Sequence, residues 1–403
     1  MPNTEPANGC PARGGGSEHP ASDEVLGFPF APAGSPLSLP PIYDELRRER
    51  PVCRVRLPTG AHAWLVTTWA DARFVLSDPR FSKAAMTRPD APKARPGELP
   101  RGVLFTTDPP EHTRLRALLS RALTTRRILS LRPRMVAYAD HLIERMTPPA
   151  DLVSSFAAPL AMRATCDLLG VPVSDQEQFA AWSETVLAVD GRSSGDVERA
   201  QRELFAYIGG LVETRTGNPG NDLVSDLLRH ASPEPVVGLV ATLLVTGYET
   251  MAAGVTNSVL TLLAAHGKLL PDLDSDALEE LFRFAAFGDA LRSRRALRDV
   301  RVGPVLVRAG DLVMVSTASA NRDPSVFGDA DMFLPTRCPN PHVAFGRGVH
   351  YCAGASLART QLRIALSRLA YRLPGLSLAT PLADITLRPG GSESPPERLL
   401  VRW

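Results

Sequence analysis

Hydrophobic residues recur with helical spacing through the long middle part of the chain, from residue 108 to residue 290. The longest such segment, 235–266, is apolar almost throughout and stops before Gly267, so it predicts one helix of about 32 residues. At ~1.5 Å per residue this helix would be about 48 Å long, which places it through the centre of a globule. A second long helix is predicted over 355–373, where leucine and alanine recur three and four residues apart.

Alternation with a period of two is confined to short regions. Residues 53–57 and 63–66 predict a hairpin, and the valines within 300–315 predict a second small β element. The chain is therefore predicted to be mainly α with a minor sheet. Proline, glycine and serine dominate residues 1–38, which we predict to be a flexible tail, followed by a single domain over 39–403.

Composition excludes several classes of protein. The 403 residues include 45 Lys and Arg against 43 Asp and Glu, a net charge of +2, which provides no general basic field for nucleic acid. The five cysteines are scattered and odd in number, which is typical of a reducing cytoplasm rather than of a disulfide scaffold. No signal-peptide pattern is found, and the longest apolar run, 236–245, is about half a membrane span, so we expect a cytoplasmic protein without a membrane segment.

The densest cluster of candidate chemistry is the segment 345–354, with the sequence FGRGVHYCAG. Two glycines ahead of Cys352 allow a tight turn, and the N–H groups of the helix predicted just after it would stabilise a thiolate. Such a thiolate can be the axial ligand of haem iron. Two other interpretations are open on these residues alone: a zinc site with Cys338, His342 and His350, and a buried cysteine on a glycine-rich turn.

Gly247, Glu249 and Thr250 interrupt the long apolar helix near its middle. A buried acid and alcohol are costly unless they form hydrogen bonds or move protons, and the glycine would let the helix admit a small ligand. The alternative is a helix surface that becomes polar for one step.

Two further patterns have ordinary explanations when each is taken alone. Glu280 and Arg283 are three residues apart on a helix, which usually means a surface ion pair. His112 and Arg116 are four residues apart and share a helix face. They could bind a carboxylate or belong to a solvated basic face.

Together these motifs resemble those of bacterial cytochromes P450, over nearly the whole chain from about residue 40. Every fixed position of the pattern Phe-Gly-x-Gly-x-His-x-Cys-x-Gly is filled in 345–354, and that pattern is highly specific to the family. The resemblance implies the cytochrome P450 fold, with a large helical region, a small β-sheet region and a long central helix over the haem. It implies haem b, iron protoporphyrin IX, as the cofactor.

The resemblance also implies a role for each motif. Cys352 would be the axial ligand of the haem iron. Glu249 and Thr250 would be the catalytic pair, for proton supply and oxygen activation. Further haem contacts, the last four of them towards the propionates, would come from Phe345, Gly346, Gly354, His112, Arg116, Arg294 and His350. A buried structural ion-pair group would be formed by Glu280, Arg283 and Arg337.

The substrate pocket is expected to include Gly247 and the segment after the Glu280–Arg283 helix. That segment contains Phe287, Gly288, Asp289 and Ala290. Phe287 stands where the family usually has proline. The small residues beside it would leave room for a bulky substrate, and Asp289 would either point to solvent or pair with an N–H or cationic group of the substrate.

The implied activity is monooxygenation of a small organic molecule with O2. The chain contains no Gly-x-Gly-x-x-Gly fingerprint and no flavin domain, so electrons are expected from a separate ferredoxin and its reductase. We expect an acidic ferredoxin to dock on arginines near the cysteine loop, namely Arg347, Arg359 and Arg363, with Arg114 and Arg121.

Arginine greatly outnumbers lysine, a composition typical of GC-rich genomes, and by association we expect natural-product tailoring of a polyketide, peptide or cyclic dipeptide. Two alternatives stay open. One is a haem-thiolate oxidase that couples aryl, C–C or C–N centres without inserting oxygen. The other is a non-catalytic haem-thiolate gas sensor, which would not need the Glu249-Thr250 pair.

Overall fold

The structure is a computed structural model that describes residues 25–31, 34–94, 97–187, 193–285, 292–388 and 395–403. Helices account for most of the described chain. They are α1 (Ile42–Glu49), α2 (Trp69–Ser77), α3 (Glu111–Ala122), α4 (Thr125–Arg145), α5 (Ala158–Leu169), α6 (Gln176–Leu187), α7 (Ser194–Gly217), α8 (Leu223–Leu228), α9 (Pro233–His266), α10 (Ser275–Phe284), α11 (Thr317–Asn321) and α12 (Ala355–Arg372).

The central element is α9, on which α5, α6, α7 and α12 pack. All residues of 238–245 are buried, because this stretch is apolar on every side, as a helix surrounded by other helices requires. The helix ends at Gly267, whose φ of 67° lies in the left-handed region that glycine adopts without strain. The predicted central helix is confirmed and begins two residues earlier than expected, at Pro233.

Within the described chain, α9 is also the helix that is long and apolar enough to cross a membrane by length and composition. Most of its apolar stretch is buried inside the molecule, as is usual for a core helix.

The strands are short. They are β1 (Leu26–Gly27), β2 (Val52–Arg56), β3 (His62–Val66), β4 (Phe81–Ser82), β5 (Ala150–Asp151), β6 (Arg294–Ala296), β7 (Val300–Val302), β8 (Val305–Val307), β9 (Leu312–Val315), β10 (Ser377–Leu378) and β11 (Leu400–Arg402). Six form a sheet in the order β1-β2-β3-β9-β6-β4, three form a sheet β10-β11-β5, and β7 pairs with β8. The predicted hairpin is β2–β3, and the second β element divides between the β7–β8 pair and the large sheet.

Packed structure begins before residue 38, where the tail was predicted to end. β1 pairs in parallel with β2. Phe30 is buried, and its ring meets that of Tyr43 edge to face at a centroid distance of 5.2 Å. Leu26 and Phe28 pack against the same hydrophobic cluster, so this part of the predicted tail has enough apolar surface to bury. Residues 1–24 of the predicted tail lie outside the described residues.

Candidate active site

The segment Phe345–Gly354, here called the cysteine loop, is folded tightly between α2 and α12. Gly346 and Gly348 have φ values of 71° and 69°, in the left-handed region that favours glycine. A Cβ on Gly348 would lie 2.9 Å from a carbonyl oxygen of α2, so packing demands glycine there as well. The Cys352 N–H donates to the carbonyl of Phe345 at 2.9 Å and closes the turn.

Cys352 is exposed to a cavity of about 270 Å³ between the cysteine loop and α9. Burial among protein atoms nevertheless raises the pKa of its thiol, while the Gly354 N–H and the charges of Arg116 and Arg292 act in the opposite direction. The sulfur is therefore open to the cavity rather than to bulk solvent. A desolvated thiol loses its proton more readily when a cation such as a metal ion binds it.

Basic side chains gather around one part of this cavity: Lys83, His112, Arg116, Arg292, Arg294 and His350. Arg294 is only 3% exposed, and burial, together with the neighbouring Arg292, lowers its pKa to about 10. The rings of His112 and His350 lie 4.4 Å apart between centroids, and burial lowers the pKa of His350 to about 4. Buried positive charges of this density need anions to offset their desolvation.

Asp108 is a carboxylate that belongs to this group. It accepts hydrogen bonds from the Ser82 hydroxyl and from the Lys83 N–H, the latter at 2.9 Å. Burial opposes its ionisation, but its interactions with His350, Ser82 and the Lys83 backbone hold the pKa of this carboxyl well below its usual range. Burial lowers the pKa of Arg116 and of Arg294, so a further carboxylate bound in the cavity would offset part of the cost of burying these two charges.

The second wall of the cavity is α9, with Thr242, Thr246, Gly247 and Thr250. The Thr250 hydroxyl donates to the Thr246 carbonyl at 2.5 Å, and the Thr246 hydroxyl donates to the Thr242 carbonyl at 2.7 Å. Of the predicted catalytic pair, only Thr250 lines the cavity. Glu249 is partly buried on the adjacent face of the helix.

Glu280 and Arg283 form an ion pair with both side chains 0% exposed and two N–H donations of 2.7 Å each. Arg337 Nε donates to both oxygens of the same carboxylate at 3.1 Å. Arg283 also donates to backbone carbonyls at Asn321, Ala330 and Met332. The cavity lining includes none of the three charged residues, so their contribution is to hold chain segments together.

The cavity brings together ten residues that sequence analysis singled out: His112, Arg116, Gly247, Thr250, Arg294, Phe345, Gly346, His350, Cys352 and Gly354. The predicted pocket residues Phe287, Gly288, Asp289 and Ala290 lie outside the described residues. Lys83 and Arg292 line the cavity but were missed by sequence analysis. Arg292 stands two residues before Arg294, which is a signal that could have found it, whereas Lys83 stands in no motif.

The zinc interpretation has no support in the part of the chain that the structure describes. His342 Nε2 lies 3.0 Å from a carboxylate oxygen of Glu279, and Cys338 is exposed away from the cavity lining. Among the described residues, no three histidine, cysteine, aspartate or glutamate side chains are grouped closely enough to hold a metal ion.

Comparison with known proteins identifies the family. The model of the cytochrome P450 family matches residues 270–372. Nocardicin C N-oxygenase of Nocardia uniformis subsp. tsuyamanensis is 42% identical to this chain over 94% of the chain and 99% of its own length. The chain is a cytochrome P450.

Two further relatives agree with this assignment. Mycinamicin IV hydroxylase/epoxidase of Micromonospora griseorubida is 40% identical over 95% of this P450 and 100% of its own length. The crystal structure of the LnmA cytochrome P450 hydroxylase from the leinamycin biosynthetic pathway of Streptomyces atroolivaceus S-140 superposes with a TM-score of 0.80, at 37% identity over 94% of this chain and 100% of that one. The predicted P450 fold and monooxygenase class are confirmed.

Cytochromes P450 bind haem, iron protoporphyrin IX, through a cysteine thiolate. The residues of this P450 fit that group. A cysteine is open to the cavity from a glycine-rich turn, and Arg116 and Arg294, whose pKa values are lowered by burial, line the same cavity, where two propionate carboxylates would stabilise their charges. His112 Nε2 is buried without a hydrogen-bond partner among the described residues, which is the condition expected of a group whose partner is such a carboxylate.

Proposed function

We propose that this P450 holds haem b through Cys352 and inserts one oxygen atom from O2 into a small natural product. The observation that carries the proposal is the cavity itself, which the Cys352 thiol and the Thr250 hydroxyl line together. Bound haem supplies the iron at which O2 is reduced and activated. The protein side chains bind the haem, contact the substrate and move protons.

The basic side chains bind the two propionates of the haem. Arg116 and Arg294 contribute charge, and His112 and His350 contribute ring N–H groups that can donate to a carboxylate. Lys83 and Arg292 join them, since both line the same region. Charge-assisted hydrogen bonds of this kind fix the orientation of the cofactor against the cysteine loop.

Thr250 and Glu249 move protons to the reacting oxygen. The Thr250 hydroxyl oxygen lies at the cavity, where it receives a proton and passes it on. Glu249, the preceding residue of α9, is partly buried and supplies that proton. Proton transfer through Thr250 and Glu249 requires no charged side chain in contact with the substrate.

The substrate is a small organic molecule with a largely apolar surface. Among the apolar residues that line the cavity are Leu104, Phe105, Leu168, Leu243 and Met251. The relatives support the assignment to natural-product tailoring, since their names give nocardicin C and mycinamicin IV as substrates and the leinamycin pathway as a setting. We therefore place this P450 in a tailoring step of antibiotic biosynthesis.

The thiolate assignment is tested with a matched pair of cysteine variants. Reduced holoenzyme under carbon monoxide should show the red-shifted Soret band of thiolate ligation. Cys352→Ser should lose this band, whereas Cys338→Ser, at an exposed cysteine outside the cavity lining, should keep it. A Cys352→Ser protein that keeps the band would overturn the assignment.

Oxygen insertion is distinguished from oxidative coupling by turnover under ¹⁸O2. A monooxygenase transfers one labelled atom to the product and the other to water. A coupling oxidase removes two hydrogen atoms from the substrate, so both labelled atoms end in water. A substrate for this experiment is found by screening natural products for a substrate-induced Soret shift, and unlabelled coupled product would favour the oxidase alternative.

Electrons come from a cytoplasmic ferredoxin that docks beside the cysteine loop. Arg359 and Arg363 are less available for docking than the sequence suggested: Arg359 pairs with Glu279 through two contacts of 2.6 Å, and Arg363 donates to a backbone carbonyl. Arg347 is exposed. The pKa of Arg73 is lowered first by its own burial and then by the charge of Arg347, which shows that the two side chains are close together. Arg347 and Arg73 form the basic site to which an acidic partner would bind.

The docking site is tested by charge reversal. Arg347→Glu should slow reduction by ferredoxin while peroxide-driven turnover is retained. Raising the ionic strength should make the reduction rates of the variant and of wild type more similar, because salt screens the charges. Arg202→Glu, at an exposed arginine of α7, is the matched control and should reduce normally. Equal loss of ferredoxin-driven and peroxide-driven turnover in Arg347→Glu would contradict a docking role.

A further inference from the structure

We infer that Thr165 and Thr246 form a hydrogen-bond-accepting subsite that selects substrates carrying an N–H or O–H donor. The inference rests on the proposed function, because it concerns the substrate of the same cavity. Its basis is the direction of the hydrogen bonds that these two hydroxyl groups make.

Both hydroxyl protons are engaged within their own helices. Thr246 donates to the Thr242 carbonyl at 2.7 Å, and Thr165, on α5, donates to the Ala161 carbonyl at 2.9 Å. A hydroxyl that donates in this way keeps its oxygen lone pairs. Since both residues line the cavity, they offer it acceptors while their protons are directed into the helices.

Gly247 brings the two threonines into one subsite. A Cβ on Gly247 would lie 3.5 Å from Thr165 Oγ, within ordinary van der Waals contact. Any larger side chain at position 247 would therefore cover the Thr165 hydroxyl. The glycine leaves a gap in the α9 wall, so Thr165, which is only 3% exposed, still reaches the cavity next to Thr246.

The two other threonines of this wall are occupied. Thr242 Oγ already accepts a hydrogen bond from the Leu104 N–H at 3.0 Å. Thr250 serves proton delivery in the proposed function. Thr165 and Thr246 are the remaining hydroxyl groups on the α5 and α9 portions of the described lining.

The residues around the two threonines favour a substrate group that donates a hydrogen bond over one that accepts it. Leu168 lies on the same helix as Thr165, and Leu243 lies on α9 one turn before Thr246, so apolar side chains line the cavity beside the two hydroxyl groups. A donor placed in such an apolar region is costly unless it finds an acceptor. An acceptor on the substrate would require a threonine hydroxyl to leave its helix carbonyl. A donor on the substrate requires no rearrangement.

The test uses two pairs of probes in which a methyl group replaces the donor hydrogen. N-benzylacetamide is compared with N-benzyl-N-methylacetamide, and benzyl alcohol with benzyl methyl ether, by Soret titration of ferric holoenzyme. In wild type the donor member of a pair should bind about fivefold to tenfold more tightly than its methylated partner. Thr246→Val and Thr165→Val should each reduce this ratio towards one, and Thr246→Ser, which keeps the acceptor, should preserve it.

Thr261→Val is the matched control. Thr261 lies on the same helix and also donates to a carbonyl four residues earlier, at Asn257, but it does not line the cavity. In Thr261→Val the ratio between the dissociation constants of the methylated probe and the donor probe should equal that of wild type.

The subsite is wrong if both valine variants at 165 and 246 keep the wild-type ratio, or if wild type binds the members of each pair equally or not at all. Each protein is first reduced under carbon monoxide, which separates the two hypotheses. A thiolate band without donor preference refutes the subsite alone. Absence of the band in wild type refutes the proposed function and the subsite with it.

Discussion

Glu249 and Thr250 are neighbours in the chain but lie on different faces of α9. A helix turns by about 100° per residue, and the face of α9 that lines the cavity includes Thr246, Thr250 and Met251 but not Glu249. The Thr250 hydroxyl donates to the carbonyl of Thr246 and its oxygen is open to the cavity. A residue in this position can act on the oxygen reaction while the apolar residues of the cavity provide most of the contact with the substrate.

Replacing Thr250 by alanine should therefore separate catalysis from binding. We expect Thr250→Ala to change the substrate dissociation constant by no more than a few-fold, because the apolar walls stay in place, and to divert electrons from product to hydrogen peroxide. Product and peroxide formed per NADPH are the measurement. Thr256→Ala, at a buried threonine of α9 that donates to Ala252, is the control. Unchanged coupling in Thr250→Ala would rule out the proton-delivery role.

At the scale of elements, α9 lies so close to the chain segment before α3 that only glycine fits between them. A Cβ on Gly238 would lie 2.2 Å from the Gly102 carbonyl oxygen. One turn further along the helix, Thr242 accepts the hydrogen bond from the N–H of Leu104. α9 thus fixes Leu104 and Phe105, which line the cavity, as well as its own threonines.

Alanine should destabilise the protein at Gly238 and stabilise it at a matched helical glycine. Alanine gains up to ~1 kcal/mol over glycine within a helix, but overlap with a rigid backbone costs about 1–3 kcal/mol. We expect Gly238→Ala to lower the free energy of unfolding. Gly210→Ala in α7, where a Cβ would meet nothing within 4 Å, should raise it slightly. Denaturant unfolding of both holoproteins checks this, and a stabilised Gly238→Ala would contradict the close approach.

At the scale of the whole molecule, a buried ion-pair group joins parts of the chain that are distant in sequence. Glu280 on α10 binds Arg283, Arg337, the side chain of Asn340 and the N–H of Leu334. These contacts tie α10 to the segment that leads into the cysteine loop. Removal of the one carboxylate would leave two arginines without their anion.

Glu280→Gln should therefore be far more destabilising than the same change at the surface. Loss of one partner from a buried ion pair costs ~3–5 kcal/mol, because the remaining charge stays buried. The control is Glu111→Gln, whose partner Arg114 is 54% exposed in its side chain and whose pair should contribute ~0–1 kcal/mol. Thermal or denaturant unfolding measures both, and similar small losses would show that the Glu280 charge is dispensable.

Glu279 gives the stability of the molecule a defined pH dependence. Burial opposes its ionisation, but Arg359 and His342 lower its pKa from 4.5 to about 2. Because the folded-state pKa is depressed, the carboxylate stabilises the fold above pH 4.5, and this contribution is lost as the pH falls towards 2. Glu279→Gln should thus be less stable than wild type at pH 7, with a difference that shrinks below about pH 4.5.

Urea midpoints of wild type and Glu279→Gln at pH 7, 5 and 3.5 test this dependence. A difference that stays constant over the range would mean that the carboxylate charge is not what stabilises the contact. Raising the salt concentration should change the difference little, since Glu279 and Arg359 are mostly buried.

The amino-acid sequence by itself determined the features that depend on residues close together in the chain. The central helix follows from an apolar run that ends at Gly267, and the cysteine loop follows from glycines placed before Cys352. Helical periodicity and backbone conformation are local properties, so a pattern is enough to predict them. The family resemblance extended this to the fold and to the monooxygenase class, both confirmed by the comparisons.

Only the tertiary structure decided which distant residues share the site. Lys83 joins the basic side chains, Arg359 is paired with Glu279 instead of being free for a partner, and Thr165 lies beside the gap at Gly247. The pairing of β1 with β2, within the predicted tail, is likewise visible only in the tertiary structure. Each depends on how separate helices and strands pack and on which charges they bury, and neither spacing nor composition carries that information.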